Sequence, residues 1–248
     1  MTQMNGMAKL LVVGVYLADK PNLALSVTHS INQSKLWSVD FRWARIGFSA
    51  ADAELQAVTK LTISQPMAKM AILNRLLSDI ELADYEYVMV LDDDIVIPDG
   101  FVDRYLEIKA SRGFALSQPA RTHSSYIDHY FVAQLMGIES RQTNFVEIGP
   151  LFVVSRSAYS LILPLDERPP MGWGLDFVWP VLIERHGLSM GIIDASPVEH
   201  SFRQPVAYYD HTEADIGMKK FFAENEHLSY EETFRIFKSY PLPVVQSL

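Results

Sequence analysis

A chain of 248 residues with 49% hydrophobic composition is long enough to bury the core of one large α/β domain, and no linker, internal repeat or low-complexity tract divides it. Its formal charge of -9, with no cluster of Lys and Arg, excludes the basic footprint that nucleic acid or an anionic membrane surface requires. The absence of cysteine excludes a disulfide framework and a thiolate metal site.

The first apolar run, Leu10 to Leu17, is broken by Gly14 and ends at Asp19-Lys20. It is too short for a membrane span and lacks a signal-peptide cleavage site, so it reads as a buried strand, Lys9 to Tyr16, of a protein expected to be cytoplasmic, with no transmembrane segment. Pro21 to Gln33 reads as a helix with Pro21 in its first turn, and Trp37 to Ile46 as a second strand closed by Gly47. Met67, Met70, Ile72, Leu73, Leu76, Leu77 and Ile80 recur at helical spacing, which predicts an amphipathic helix within Ser64 to Ile80. A third strand, Tyr87 to Leu91, follows. This β-α-β-α-β opening predicts a mostly parallel sheet flanked by helices with right-handed crossovers, in a single domain over 1–248.

The third strand ends in Asp92, Asp93 and Asp94, before the breaker Pro98-Asp99-Gly100. Three carboxylates at one strand end repel and raise one another's pKa unless a cation joins them. Mg²⁺ or Mn²⁺, which take carboxylate oxygens together with substrate phosphates, is the simplest candidate, and a solvated acidic turn is the plain alternative. An EF-hand is excluded, because a loop counted from Asp92 puts Val96 at a ligand position and Ile97 where Gly belongs.

Beyond the acids, Asp99 is placed to cap a helix through Phe101, Tyr105 and Ile108 that Gly113 ends, with a short strand at Phe114 to Ser117. In the segment Arg121 to Arg141, His123, Tyr126, His129 and Tyr130 line a pocket or pack. Asn144 to Val154 reads as a strand and Ser157 to Leu163 as a short helix. The loop RPPMGWGLDF leads into a helix from about Phe177 to His186, with Asp176 at its N-cap and Pro180 in its first turn. Leu188 to Asp194 is a strand, and Val198-Glu199-His200 an extended piece. Ser229 and Glu232 form a capping-box pattern that predicts a helix from Tyr230 to Tyr240, stopped by Pro241.

An acidic strand end about a third of the way along an α/β chain resembles the GT-A class of nucleotide-sugar glycosyltransferases. Asp92-Asp93-Asp94 fits that class's Asp-any-Asp motif, and Lys69 followed by Asn74 reproduces a pair on its preceding helix. Within the class, NFVEIGPLFVVSRSAYSLILPL, MGWGLDFVWP and GIIDASPVEH look like an uncharacterised plant and bacterial family with a Trp-Gly-Leu-Asp loop and a strand ending in Val-any-His. The likeness covers roughly Tyr85 to His200. The Asp-rich turn that many members carry after their second strand is absent, with Phe41-Arg42-Trp43-Ala44-Arg45 in its place.

The resemblance implies a metal-dependent transferase moving a sugar from a nucleotide-sugar donor to a glycan or other hydroxyl acceptor. Asp94, Asp92 and His200 would hold Mn²⁺ or Mg²⁺, while Asp92, Asp93, Lys69 and Asn74 would face the donor. Asp176 would be the base, with Trp173 and Gly174 on the acceptor side. Each has a plainer reading: Asp176 as a helix cap, His200 as an edge-strand histidine, Lys69 as a solvated lysine, Trp173 as a loop anchor. The rival functions are a haloacid-dehalogenase-type phosphatase, which also puts Asp-any-Asp after an apolar strand, and a sugar- or metal-binding module without turnover.

Overall fold

The structure, a computed structural model, describes residues 7–169, 171–203 and 211–243. Its first half is laid down by β1 (Ala8–Leu17), α1 (Ala24–Asn32), β2 (Trp37–Ile46), α2 (Ala53–Val58), β3 (Thr59–Ile63), α3 (Lys69–Leu77) and β4 (Tyr87–Asp92). β1 is apolar on both faces because helices cover both: Leu11 and Val13 pack to one side, Leu10, Val12 and Tyr16 to the other. β1 pairs in parallel with β2 and with β4, and β2 in parallel with β3.

Two elements were not foreseen here, α2 and β3. Asp52 caps α2 by accepting from the Glu54 amide, and the short β3 extends the sheet edge beyond β2. Pro21 lies outside α1, whose N-cap is Leu23, and the Leu23 amide donates to the Asp93 carbonyl at 2.6 Å. The helix start is therefore set by a tertiary contact with the acidic turn.

The second half runs α4 (Phe101–Arg112), β5 (Phe114–Arg121), β6 (Ile138–Thr143), β7 (Leu151–Ser155), α5 (Tyr159–Ile162), α6 (Leu175–Arg185), β8 (Ser189–Val198), α7 (His211–Glu224), α8 (Tyr230–Thr233) and β9 (Ile236–Pro241). Gly100, at φ 69°, and not Asp99, is the N-cap of α4. The strand expected over Asn144 to Val154 begins only at Leu151, after the cis peptide Gly149-Pro150. The capping box of Ser229 and Glu232 is present, but the helix it opens stops at Thr233, and Ile236–Pro241 pairs with β6 as a strand. Ile236, Phe237 and Tyr240 favour the pleated edge that β6 offers over a longer helix.

The strands described form one sheet in the order β3-β2-β1-β4-β7-β5-β8-β6-β9, in which only β6 and β7 run against the common direction. One core layer, under α3, α5, α6 and α7, gathers Leu73, Phe152, Trp179 and Phe221; the other, under α1, α2 and α4, gathers Ile31, Leu55, Trp43 and Tyr105. The result is a large α/β sheet with helices on both faces. Among the described residues no helix is long and apolar enough to cross a membrane.

Candidate functional site

The carboxyl ends of β1, β2, β4, β5 and β8 share one edge of the sheet. From β1 the chain first builds outward through β2 and β3, then returns to place β4 on the other side of β1. That reversal opens a crevice at the ends of β1 and β4, where open α/β sheets bind ligands, and Asp92 to Asp94 stand on it.

Protein cations from distant segments meet the three acids. Lys69, the first residue of α3, lies 2.5 Å from Asp92 Oδ1. Asp93, 2% exposed, accepts from the Leu17 amide at 2.8 Å and from Arg203 at 2.5 Å. Arg203 also lies 3.3 Å from Asp94 Oδ2, and donates to the Pro21 carbonyl at 3.1 Å. Adjacent carboxyls thereby diverge. Burial holds Asp93 above the ordinary aspartate range despite Arg203 and the Leu17 amide. Burial pushes Asp94 the same way, but His200, Arg203 and Lys69 outweigh it and hold its carboxyl below that range.

His200, two residues past β8, places Nε2 3.2 Å from Asp94 Oδ1, an ion-pair contact on a buried oxygen that makes no well-formed hydrogen bond. On its other side, His200 Nδ1 is 3.0 Å from Arg121 Nη1. A guanidinium only donates, so Nδ1 accepts and a neutral His200 carries its proton on Nε2, toward Asp94. Arg121, 3% exposed at the end of β5, also donates to Glu147 Oε2 at 2.5 Å and to the carbonyls of Gly149 at 2.8 Å and Tyr126 at 3.1 Å. Gly149 lies over the acids: a Cβ there would stand 3.2 Å from Asp92 Oδ2 and 3.4 Å from Lys69 Nζ.

Asp176 sits inside the first turn of α6, whose N-cap is Gly174 at φ 97°; Pro180 is within the helix, beyond the first turn. The side chain is 8% exposed and its Oδ1 has no hydrogen-bond partner. Burial first, then the charge of Glu147, pushes its pKa up to about 7, against the backbone groups of Gly174, Asp176 and Phe177. Glu147 is itself pushed up to about 7 by burial, which outweighs Arg121. The loop glycines face the chain's own packing: a Cβ on Gly172 would meet Met70 at 2.5 Å, and one on Gly174 would meet Phe222 at 2.8 Å. Trp173 is half-buried in the same loop.

The structure thus gathers Asp92, Asp93, Asp94, Lys69 and His200 at one crevice. Asn74 is engaged elsewhere: its amide donates to the Leu165 carbonyl at 2.8 Å and Glu167 at 2.7 Å, and accepts from the Leu165 amide at 2.8 Å. Of the pocket candidates in the segment after β5, Tyr130 is 86% exposed, whereas His129 packs edge-on to Phe145 at 5.2 Å. Arg121, Glu147 and Arg203 are members that sequence reasoning missed. The available signals were a lone acid in the apolar run FVEIGPLF and a basic residue three positions after His200.

For a divalent cation, the Asp92 carboxylate and Asp94 Oδ1, which His200 Nε2 faces at 3.2 Å, offer the hard oxygens that Mg²⁺ or Mn²⁺ takes. Among the described residues no three His, Asp or Glu side chains converge closely enough to hold a metal as they stand. The carboxylates fit such an ion; His200 would have to present its other tautomer, and Arg203 would have to withdraw.

No protein-family description matches the chain, and no curated protein sequence matches it. Solved structures do. GalNAc-T7 with UDP, GalNAc and Mn²⁺ superposes with a TM-score of 0.60 at 12% identity, over 87% of this chain and 48% of that one. The chain thus spans about half the length of that protein. Glucosyl-3-phosphoglycerate synthase from Mycobacterium tuberculosis, in complex with Mg²⁺ and UDP, superposes at 0.57 and 11% identity, over 90% of this chain and 81% of that one. A mycobacterial protein gives 0.54 and 14% identity, over 94% of this chain and 84% of that one. These likenesses establish the fold, which is GT-A-like.

Proposed function

We propose that the chain is a metal-dependent glycosyltransferase that moves a sugar from a nucleotide donor to an acceptor hydroxyl, in the manner of the Trp-Gly-Leu-Asp family that its loop resembles. The observation that carries the reading is the acidic turn Asp92 to Asp94 at the crevice between β1 and β4, where Asp94 Oδ1 is buried and makes no well-formed hydrogen bond. Two of the structural neighbours hold UDP, one with Mn²⁺ and one with Mg²⁺, which makes UDP the first donor nucleotide to test. A phosphatase is the weaker reading, since the acids close the fourth strand of the chain and not the first.

Asp92 and Asp94 would hold the ion, joined by His200 if Arg121 releases Nδ1. Such an ion, when bound, stabilises negative charge on a departing diphosphate. Lys69 adds a positive group beside the donor and restrains Asp92. Asp176, as base, takes the acceptor's hydroxyl proton while the acceptor oxygen bonds to the anomeric carbon, and the bond to the diphosphate breaks with its electron pair leaving on phosphate. A carboxyl at about 7 is matched to proton removal near neutrality. The route inverts the anomeric centre, and Trp173 would flank its acceptor side, whereas Gly174 packs against Phe222, Met218 and Phe221 of α7.

The burial of Asp176 favours a second reading, a nucleotide-sugar-binding module without turnover. Thermal shift against UDP and GDP, with and without Mn²⁺, followed by donor hydrolysis or transfer, separates the two. A shift that requires the metal, with turnover cut about 10²–10⁴-fold in Asp176→Asn at unchanged nucleotide affinity, is the expected result. A metal-dependent shift without turnover supports the module. No shift with either nucleotide overturns both.

A further inference from the structure

We propose that Arg203 is an internal counter-ion that competes with the divalent cation for the acidic turn, so that the site exchanges one for the other. The proposal rests on the reading of Asp92 and Asp94 as holders of that ion. It makes Arg203 the residue that sets how tightly the nucleotide-free protein takes a metal.

The guanidinium lies between two of the three acids. Its Nη2 is 2.5 Å from Asp93 Oδ1 and 3.3 Å from Asp94 Oδ2, while Nη1 donates to the Pro21 carbonyl at 3.1 Å. Arg203 therefore ties the chain after β8 to the chain after β1 across the turn. Its Nε is buried without a hydrogen-bond partner, so the side chain holds this place with one of its own donors unsatisfied. The backbone leading to it is fixed independently: Glu199 exchanges two hydrogen bonds with Val96, at 2.8 and 3.1 Å, and the His200 carbonyl accepts from the Tyr126 amide at 2.8 Å. Asp93 is likewise held without Arg203, by the Leu17 amide on Oδ2 at 2.8 Å. Departure of the guanidinium thus leaves the acids and His200 where they stand.

Lys69 and Arg203 already bring two positive charges to the three carboxylates. A divalent ion adds two more in the same crevice, where Asp93 and Asp94 are buried and solvent screens poorly. Asp94 is the carboxylate that both cations need, and like charges on one carboxylate repel. Arg203 must leave Asp94 for the ion to enter, which lowers the affinity of the free site. A purely structural ion pair makes the opposite demand: without Arg203 the acids lose support, and metal binding weakens.

The test is Mn²⁺ affinity without nucleotide, read from the electron paramagnetic resonance signal of the free ion. Arg203→Gln keeps a donor for Asp93 but removes the charge, and should bind Mn²⁺ about 10–100-fold more tightly than the wild type, the range over which groups around metal ligands act. Arg203→Lys keeps the charge and should stay near the wild type. Unchanged or weaker binding in folded Arg203→Gln overturns the proposal. A second measurement needs no variant: phenylglyoxal modification of Arg203, mapped by mass spectrometry, should be slow in the metal-free wild type and faster with Mn²⁺ bound, with Arg141, buried against Asp194, as the unchanging reference. A rate at Arg203 that bound Mn²⁺ leaves unaltered also overturns it. If Mn²⁺ binds the wild type and Arg203→Gln equally, the metal-dependent reading stands and the competition falls; if it binds neither, both fall.

Discussion

Asp93 and Asp94 are adjacent, yet burial prevails at the first and cations prevail at the second. Their substitutions should therefore fail differently. Asp93 fastens the end of β1, through Leu17, to the turn and to Arg203, so Asp93→Ala strands a buried amide and a guanidinium. It should cost about 1–3 kcal/mol, read from urea midpoints. Asp94→Asn keeps the shape beside His200 but gives up the attraction of His200, Arg203 and Lys69, so it should lower the urea midpoint less than Asp93→Ala does while abolishing the Mn²⁺-dependent part of the nucleotide thermal shift. Equal losses of stability in the two, with the metal effect intact in Asp94→Asn, would sink the division of labour. Such roles are invisible to local pattern because the partners are remote: 76 residues separate Leu17 from Asp93, and 110 separate Asp93 from Arg203.

At the scale of elements, the sequence was most legible where one face or one strand end decides the outcome. β2 runs from Trp37 to Ile46 as its composition implies, and the acidic turn closes β4 as its abrupt change of polarity implies. It was least legible where a neighbour overrides local preference. The Ser229–Glu232 box starts a helix correctly, but β6 captures Ile236–Pro241 as a strand. The start of α6 is a second case, because Gly174 and not Asp176 is its N-cap, held at φ 97° against Phe222, Met218 and Phe221 of α7. Gly174→Ala adds a methyl group 2.8 Å from Phe222 in a backbone region that L-residues avoid. A loss of about 2–4 kcal/mol is expected by urea denaturation, combining the left-handed cost with overpacking. A variant as stable as the wild type would show that α7 does not seat there.

For the whole molecule, pH dependence is set by buried groups of opposite sign. Asp176 and Glu147 at about 7, with Asp93 and Asp194 raised by burial, bind protons in the folded state that the unfolded chain has released above pH 4–5. Their contribution to stability is complete below the unfolded carboxyl values, and is lost as pH rises through the folded ones. Lys109 works in the other direction. It is fully buried in α4, donates to the carbonyls of Phe114 and Val153, and burial holds its ammonium well below the ordinary lysine range. Between its folded and unfolded values the unfolded chain binds the extra proton, so stability rises with pH there, by about 1.4 kcal/mol for each unit of separation. Together these groups predict a urea midpoint that falls between pH 5 and about pH 8, then recovers toward pH 9.5, where tyrosine ionisation has yet to intervene. Asp176→Asn should flatten the fall, and Lys109→Met should abolish the recovery while raising stability at pH 7, since Ser155 Oγ still donates to the Phe114 carbonyl at 3.0 Å. A wild-type midpoint that climbs steadily from pH 5 to 8 would show that Asp176 and Glu147 ionise in the folded protein as ordinary carboxyls do.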